Sequence, residues 1–598
     1  MTDRTTDIKL PDPEALARNW VRIASRSQEL VMDFARSQAG KVDPANPDPL
    51  NLANAFVEMT GRMMANPMRL VEAQMELWRS YAGLWQSATM RWLGHDTAPA
   101  IEADPADRRF KDQAWRENAI FDFIKQSYLL SAQWVQKQVQ TVEGLDDRTA
   151  RKIEFYTRQM VDAMAPSNFV LTNPEVLKAT FDSSGENLVK GLDNMLADLR
   201  RGDGQLMIKM TDLDKFKVGV NVAVTHGKVV AETPLMQLIQ YAPSTEKVLK
   251  RPLLIVPPWI NKFYILDLRP DNSFIKWAVD QGHSVFVVSW VNPDRALADK
   301  TFEDYMHEGL LAALDAVETA TGEAATNVIG YCLGGTLLGA TLGWLKAKGE
   351  DKRIASATYF VAMVDFAEAG DLLVFIDEEQ LKSLEAKMEK EGVLDAKAMA
   401  TTFNMLRAND LIWSFVVNNY LLGKEPFPFD LLYWNSDSTR MPRAMHRFYL
   451  RKMYQENRLS KPGGVTLSGR TIDLHQIDTP TMLIATKEDH IAPWRAVYRA
   501  TQIYRGETRF LLAGSGHIAG VVNPPAAKKY GYWTNAENPA EAQDWLASAT
   551  AHAGSWWPEW NDWIAKRSDS LVPARKPGGG KLKPIEDAPG RYVKVRAV

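Results

Sequence analysis

One cysteine in 598 residues leaves no partner for an intrachain disulfide and rules out a cysteine-rich metal site. That scarcity fits a reducing compartment. No uninterrupted apolar run is long enough to cross a bilayer, and the opening stretch, MTDRTTDIKLPDPEAL, carries no apolar signal-peptide core. The expectation is a cytoplasmic protein with no transmembrane segment. Net charge is −3, so there is no global electrostatic case for nucleic acid. No internal repeat is visible, and residues 1–205 carry no β signal.

The bulk composition is ordinary for a globular chain, 45% hydrophobic and 24% charged, and the length predicts more than one domain. The nineteen tryptophans are unusual. A protein facing a bulky apolar phase could use them, and so could a large core. Residues 1–13 read as disordered, Glu14 to Ala39 as helix, and Lys41–Pro49 as a Pro/Asn/Asp-rich linker. The next helix carries Met64, Met68, Val71, Met75, Trp78, Ala82 and Trp85 at alternating steps of four and three, which puts them on one face. That face suits packing on a neighbouring helix. It also suits adhesion to a partner, another subunit or a lipid-like surface. An aromatic-rich helix is expected over Phe110–Val142 and further helices over Asp147–Met164 and Leu188–Leu199, which makes 1–205 an all-helical N-terminal domain.

Beyond residue 205 the rhythm changes. Lys217–Val224, Lys228–Glu232 and Leu235–Tyr241 are short β-branched runs. Apolar runs at Pro252–Pro257, Ser284–Trp290, Ala355–Ala362, Pro480–Ala485 and Arg509–Ala513 alternate with helix-compatible stretches. This pattern predicts a mostly parallel sheet covered on both faces, an α/β fold over 206–598. Between about 366 and 470 the alternation breaks, which reads as a cap over the sheet edge where ligands bind. The Lys/Pro/Gly-rich tail 575–598 reads as flexible.

The single cysteine sits where a strand meets a helix. Asn327-Val328-Ile329 leads into Gly330-Tyr331-Cys332-Leu333-Gly334-Gly335, and a helix-compatible run follows. A Gly-x-nucleophile-x-Gly turn strains the central residue and lifts its side chain clear of the sheet. The helix N-terminus favours a thiolate and any oxyanion beside it. A lone cysteine is more often a small buried hydrophobe, so partners are needed. An α/β-hydrolase sheet presents nucleophile, acid and base in that order. Asp489 follows the strand Pro480–Ala485, and His517 follows Arg509–Ala513. Asp489 could instead cap the helix after it, and His517 could be a turn residue. His490, His475 and His446 compete as bases, but adjacent loop residues rarely form an acid–base pair, so His517 is preferred over His490. One oxyanion donor is expected from Leu333 N–H and the second from Ile260, on the loop after Pro252–Val256. A thiolate attacking a thioester displaces another thiolate and keeps the acyl group activated. That suits transfer to an alcohol.

Five stretches together resemble the polyhydroxyalkanoate synthases, and the length and helical N-terminal region resemble the class I enzymes among them. The five stretches are Gly330–Gly335, Val256–Leu268 (VPPWINKFYILDL), Asp430–Asn435 (DLLYWN), Glu488–Trp494 (EDHIAPW) and Ser515–Gly520 (SGHIAG). The resemblance runs from about Arg108 onward. It implies an α/β-hydrolase catalytic domain with a cap, and polymerisation of (R)-3-hydroxyacyl-CoA into polyester with release of CoA. The CoA thioester is then the substrate, and no cofactor or metal is expected. It implies Cys332, Asp489 and His517 as a triad. It further implies Arg407 and Asn457 at the thioester, Trp434 near the pocket, His490 on the CoA path, and Asn261 and Asp267 supporting the loop beside the oxyanion hole. Where family members often carry Cys, Phe or Tyr, Trp259 would narrow the pocket towards short acyl groups such as 3-hydroxybutyryl. A homodimer, association of the helical domain with granules and contact with phasins are implied in the same way. The rival readings are a thioesterase or polyester depolymerase on the same fold, and a non-catalytic granule scaffold.

Overall fold

A computed structural model describes residues 12–38, 52–95 and 97–597. The expected linker Lys41–Pro49 and almost all of the expected disordered start lie outside these residues. The chain forms two units, one of residues 1–212 with 402–428 and one of 213–401 with 429–598.

The first unit is helical. Its principal helices are α1 (Pro13–Gln38), α2 (Leu52–Met64), α3 (Pro67–Trp92), α4 (Ala119–Gln140), α5 (Asp147–Ala163), α6 (Pro174–Asp182) and α7 (Glu186–Arg201). Asn66, Asn118, Asp146 and Asn173 cap four of them by accepting backbone N–H bonds with their side chains. The Asn118 cap has an extended backbone, ψ 117°, and divides the helix expected over Phe110–Val142. α3 packs on α4. Its buried positions are Ala73, Leu84 and Ala88, and the Trp134 indole N–H donates to the Ala73 carbonyl at 2.8 Å. The face that buries is therefore the one with small residues, which let the helix axes approach. The Met/Trp face turns outward, with Met68, Met75 and Trp78 each at least 53% exposed, while Met64, expected on the same helix, ends α2. Packing of that face on a neighbouring helix is thus corrected for the described residues, apart from Trp85, whose ring meets Phe123 at 4.8 Å.

Residues 402–428 also belong to this unit. The Asn187 and Asn194 amides donate to the carbonyls of Leu421 and Asn419, and the buried Tyr420 hydroxyl donates to Asp198. The stretch 366–470, expected as one cap, is therefore divided between the two units.

The second unit is built on an eleven-stranded sheet. Its strands are β1 (Gly227–Glu232), β2 (Met236–Tyr241), β3 (Leu253–Val256), β4 (Val285–Trp290), β5 (Thr326–Tyr331), β6 (Ile354–Phe360), β7 (Thr481–Thr486), β8 (Thr508–Ala513), β9 (Gly531–Thr534), β10 (Thr550–Ala553) and β11 (Glu586–Asp587). Their order is β10-β9-β8-β7-β6-β5-β3-β4-β2-β1-β11. The six strands from β4 to β8 in that order are parallel, and antiparallel strands extend both edges. β3, β4, β5 and β7 are buried throughout, as a sheet covered on both faces requires. Lys217–Val224 is not a strand. Positive φ at Gly219 and Ala223 folds it into a turn closed by one bridge, Val218 to Val222.

The tail is not flexible where it is described. β11 covers the edge of β1, the Gln237 side chain accepts from the N–H groups of Arg591 and Tyr592, and Val593 is buried. An open sheet edge needs partners for its backbone groups, and this segment supplies them. The tryptophan excess near Trp556 resolves as core. Trp556, Trp557 and Trp560 are fully buried against Phe274, Trp277 and Phe360. Trp560→Ala should cost about 3–5 kcal/mol of stability. Trp78→Ala, on the outward face of α3, should stay within about 0.5 kcal/mol. Chemical denaturation of both variants measures the contrast.

Candidate active site

β5 ends at Tyr331, and helix α8 (Leu333–Lys348) begins one residue later. Cys332 lies between them at φ 51°, ψ −119°, a conformation that costs a non-glycine residue strain. Its N–H continues the ladder by donating to the Phe360 carbonyl at 2.9 Å. The turn closes tightly only because side chains are missing around it. A Cβ on Gly330 would lie 2.5 Å from the Gly335 Cα, and one on Gly334 would lie 2.0 Å from the Val256 carbonyl oxygen. The thiol is half-buried. Leu333 is the first residue of α8, so its N–H has no acceptor within the helix.

The loops that carry Asp489 and His517 leave adjacent parallel strands and are laced together. Lys487 N–H donates to Ala513 and Glu488 N–H to Ser515. Two indoles hold the His517 loop: Trp556 Nε1–H donates to the Gly520 carbonyl and Trp557 Nε1–H to Val521. Asp489 is buried, and each carboxylate oxygen has its own task. Oδ1 accepts the N–H groups of Ile491 and Ala492, and Oδ2 lies 2.7 Å from His517 Nδ1. Turn closure and contact with the histidine, alternatives on sequence grounds, therefore coexist. His517 is buried between Asp489 and Cys332. Burial alone would lower its pKa. The Asp489 charge, then Cys332, and hydrogen bonds to both outweigh this and push it up to about 10.

Two residues were not anticipated. Tyr449 and Tyr454 lie in a π-helical segment, Tyr449–Gln455, with their rings 5.4 Å apart and packed against Phe366. Both are in electrostatic contact with Cys332. Burial, Tyr454 and Cys332 raise the Tyr449 phenol well above its usual range, and burial followed by Cys332 raises Tyr454. Tyr331 is raised likewise by burial, Cys332 and Asp489. The sulfur thus has phenols around it that stay protonated. On an α-helix, five residues turn about 140° away from one face, so a helical reading separates Tyr449 from Tyr454. The wider π winding brings them together.

The other expected residues fall into groups. Ile260 and Asn261 are half-buried on the loop after β3. Trp434 is buried beside that loop, and its indole N–H donates to the Lys262 carbonyl at 2.7 Å. Asn457 has its amide engaged on both sides, accepting from Phe366 N–H and donating to Asp365. Asp267 is buried and receives the hydroxyls of Thr225 and Ser273. Burial raises its pKa and these bonds partly offset it. It braces backbone. His490 is half-buried directly after Asp489. Arg407 belongs to the helical unit, where it pairs with Asp410. Trp259 packs among Trp290, Phe302 and Tyr305, so its ring is committed to the core and gives no support to a narrowed pocket. Among the rival bases, His475 pairs with Asp473, and burial pushes His446 down to about 4. No group of three or more His, Cys, Asp or Glu side chains suited to a metal occurs among the described residues.

A parallel sheet with a strained strand-to-helix elbow on β5, and with Asp489 and His517 on the loops after β7 and β8, defines the α/β-hydrolase fold. The pattern for that fold matches residues 251–524. The pattern described as "Poly-beta-hydroxybutyrate polymerase (PhaC) N-terminus" matches residues 106–278. The chain is 49% identical to a poly(3-hydroxyalkanoate) polymerase subunit PhaC of Rhizobium meliloti, over 98% of this chain and 96% of that protein. It is 48% identical to a poly(3-hydroxyalkanoate) polymerase of Methylorubrum extorquens over the full length of both. With the PhaC subunit of Cupriavidus necator the identity is 43% over 89% of each chain. The chain belongs to the PhaC polymerase family, an acyltransferase family on the α/β-hydrolase fold.

His517 yields a test of the site's electrostatics. Its pKa is raised in the folded chain above an ordinary 6.5. The stability this confers is fully present below about 6.5 and is lost as pH rises through about 10. The stability gap between the protein and His517→Gln should therefore be widest near pH 6 and shrink towards pH 10, measured by urea denaturation. A gap that widened with pH would contradict the charged pair.

Proposed function

We propose that the chain joins (R)-3-hydroxyacyl units, 3-hydroxybutyryl among them, from their CoA thioesters into a polyester with release of CoA. The observation that carries this reading is near-full-length similarity to poly(3-hydroxyalkanoate) polymerases in a chain whose sole cysteine occupies the elbow beside His517 and Asp489. His517 takes the Cys332 proton, and the sulfur attacks the thioester carbonyl. The negative charge that develops on oxygen is received by the N–H groups of Leu333 and Ile260. Collapse expels the CoA thiolate, which accepts the proton from His517. Asp489 holds the Nδ1–H and so leaves Nε2 to face the sulfur. In the second half His517 deprotonates the hydroxyl of another unit, which attacks the acyl-cysteine and frees the thiol. Sulfur for sulfur is nearly isoenergetic, so the acyl group stays activated until the alcohol arrives.

His490 is assigned to the CoA side of this site, and Asn457 to the shape of its wall, in keeping with its committed amide. Asn261, Asp267 and Trp434 support the loop that carries Ile260. The assembly proposed is a homodimer with one complete site per subunit, working in the cytoplasm at the surface of its own polyester granule, with phasins as further partners. The outward Met/Trp face of α3 supports granule contact, because it presents apolar side chains to whatever phase surrounds it.

Incubation with labelled 3-hydroxybutyryl-CoA tests the chemistry. Label should appear on Cys332, and polymer and CoA should form together. Cys332→Ser should reduce CoA release by at least about a thousandfold. Free acid with no polymer would instead identify a thioesterase. Full activity in Cys332→Ser would end the catalytic reading. A double change, Met75→Ser with Trp78→Ser, should keep CoA release on soluble substrate and lower the share of enzyme that sediments with granules.

A further inference from the structure

The loop after β3 is held by one short stretch of chain. Along Pro257–Lys262, carbonyl after carbonyl is taken by a donor outside the loop. Pro257 accepts the Trp290 indole N–H, Trp259 the Thr439 hydroxyl, Ile260 the Thr439 N–H and Lys262 the Trp434 indole N–H. Three of these four bonds come from residues 434–439. The same stretch adds a charge. Asp437 and Lys262 form an ion pair at 2.7 Å with both side chains almost fully buried, and Tyr264 donates its hydroxyl to the other Asp437 oxygen at 2.9 Å.

A second layer holds that stretch in turn. Arg596 lies 3.8 Å from the Asp437 carboxylate, donates to the Tyr433 hydroxyl at 3.3 Å and covers the Tyr433 ring. Arg440 donates to the Ala597 carbonyl, and Asn292 bridges Arg440 N–H to the Val595 carbonyl. The segment itself is fixed to the sheet by Gln237, which accepts from Arg591 and Tyr592. Sheet, segment 591–597, stretch 433–440 and loop 257–262 therefore form one connected series within the unit.

The series ends on a peptide plane. In a trans peptide the carbonyl of one residue and the N–H of the next point in opposite directions. A Thr439 hydroxyl bound to the Trp259 carbonyl thus fixes the direction of the Ile260 N–H. We propose that segment 591–597 is a brace for the oxyanion hole, with Arg596 a positioning residue that acts through Asp437 and Thr439 on the Ile260 N–H. This rests on the reaction proposed above. Neither Arg596 nor Thr439 touches the thiol or its histidine, so the brace bears on stabilising the transition state and not on forming the nucleophile.

The experiment uses full-length Arg596→Gln, Arg596→Lys and Thr439→Val. It reads steady-state CoA release from 3-hydroxybutyryl-CoA, the rate of Cys332 alkylation by iodoacetamide, and the thermal midpoint. For Arg596→Gln, kcat should fall about 10- to 100-fold, because a misdirected donor acts like a missing one. KM and the alkylation rate should stay within about twofold. Arg596→Lys should recover part of the loss, and Thr439→Val should reproduce it. Unchanged kcat in either Arg596→Gln or Thr439→Val overturns the brace. So does a parallel fall in kcat, alkylation rate and thermal midpoint, which would mark general scaffolding. A parent chain that alkylates at Cys332 yet releases no CoA overturns the polymerase reading, and the brace with it.

Discussion

Everything in the catalytic unit is arranged around a backbone conformation that cysteine does not adopt willingly. Cys332 holds φ 51° because strand β5 and helix α8 meet at close quarters, with Gly330, Gly334 and Gly335 leaving room for backbone against backbone. Strain of this kind costs on the order of 1–3 kcal/mol, and it persists because the surroundings over-determine it. The Phe360 carbonyl takes the Cys332 N–H, and the Thr336 hydroxyl bonds to the Met363 carbonyl just past the next strand. The return on that strain is a thiol presented at a helix N-terminus, beside an imidazole, where a carbonyl carbon could be reached.

His517 is held with comparable insistence. His517 sits on a loop whose carbonyls are taken by two indole N–H groups, and those indoles belong to a tryptophan-rich helix that fills the core behind β6. The tryptophans from Trp556 to Trp563 therefore explain themselves as core, without an external apolar phase. They supply bulk for a wide sheet, and at three positions a polar handle that a phenylalanine would lack.

Much of this was legible in the residues. Every parallel strand was visible as an apolar run, because burial on both faces removes the polar alternation. The positions of Cys332, Asp489 and His517 could be read because strand ends are simple to locate. What escaped notice had clear causes. β9, β10 and β11 are short edge strands of mixed polarity, and β11 lies in a Pro/Gly-rich segment whose composition is that of a linker. The orientation of α3, open between two readings in the sequence, is decided by approach and not by size: Ala73 and Ala88 admit the neighbouring helix, and Met75 and Trp78 do not. Tyr449 and Tyr454 were hidden by an assumed winding of 3.6 residues per turn. The division of the cap depends on Asn187 and Asn194 reaching residues more than two hundred positions away, which no local pattern discloses.

The two oxygens of Asp489 have a consequence for what else could stand there. One closes the turn through Ile491 and Ala492 and the other meets the imidazole, so loop shape and ring orientation share a single rigid carboxylate. A glutamate would carry the same charge one methylene further out, and could satisfy the backbone or the ring but not both. An asparagine would keep the length yet set a neutral oxygen or an N–H against His517. The site is therefore specified at this position by dimension as much as by charge, and its tolerance for change is narrower than the chemistry of a general acid–base helper alone would require.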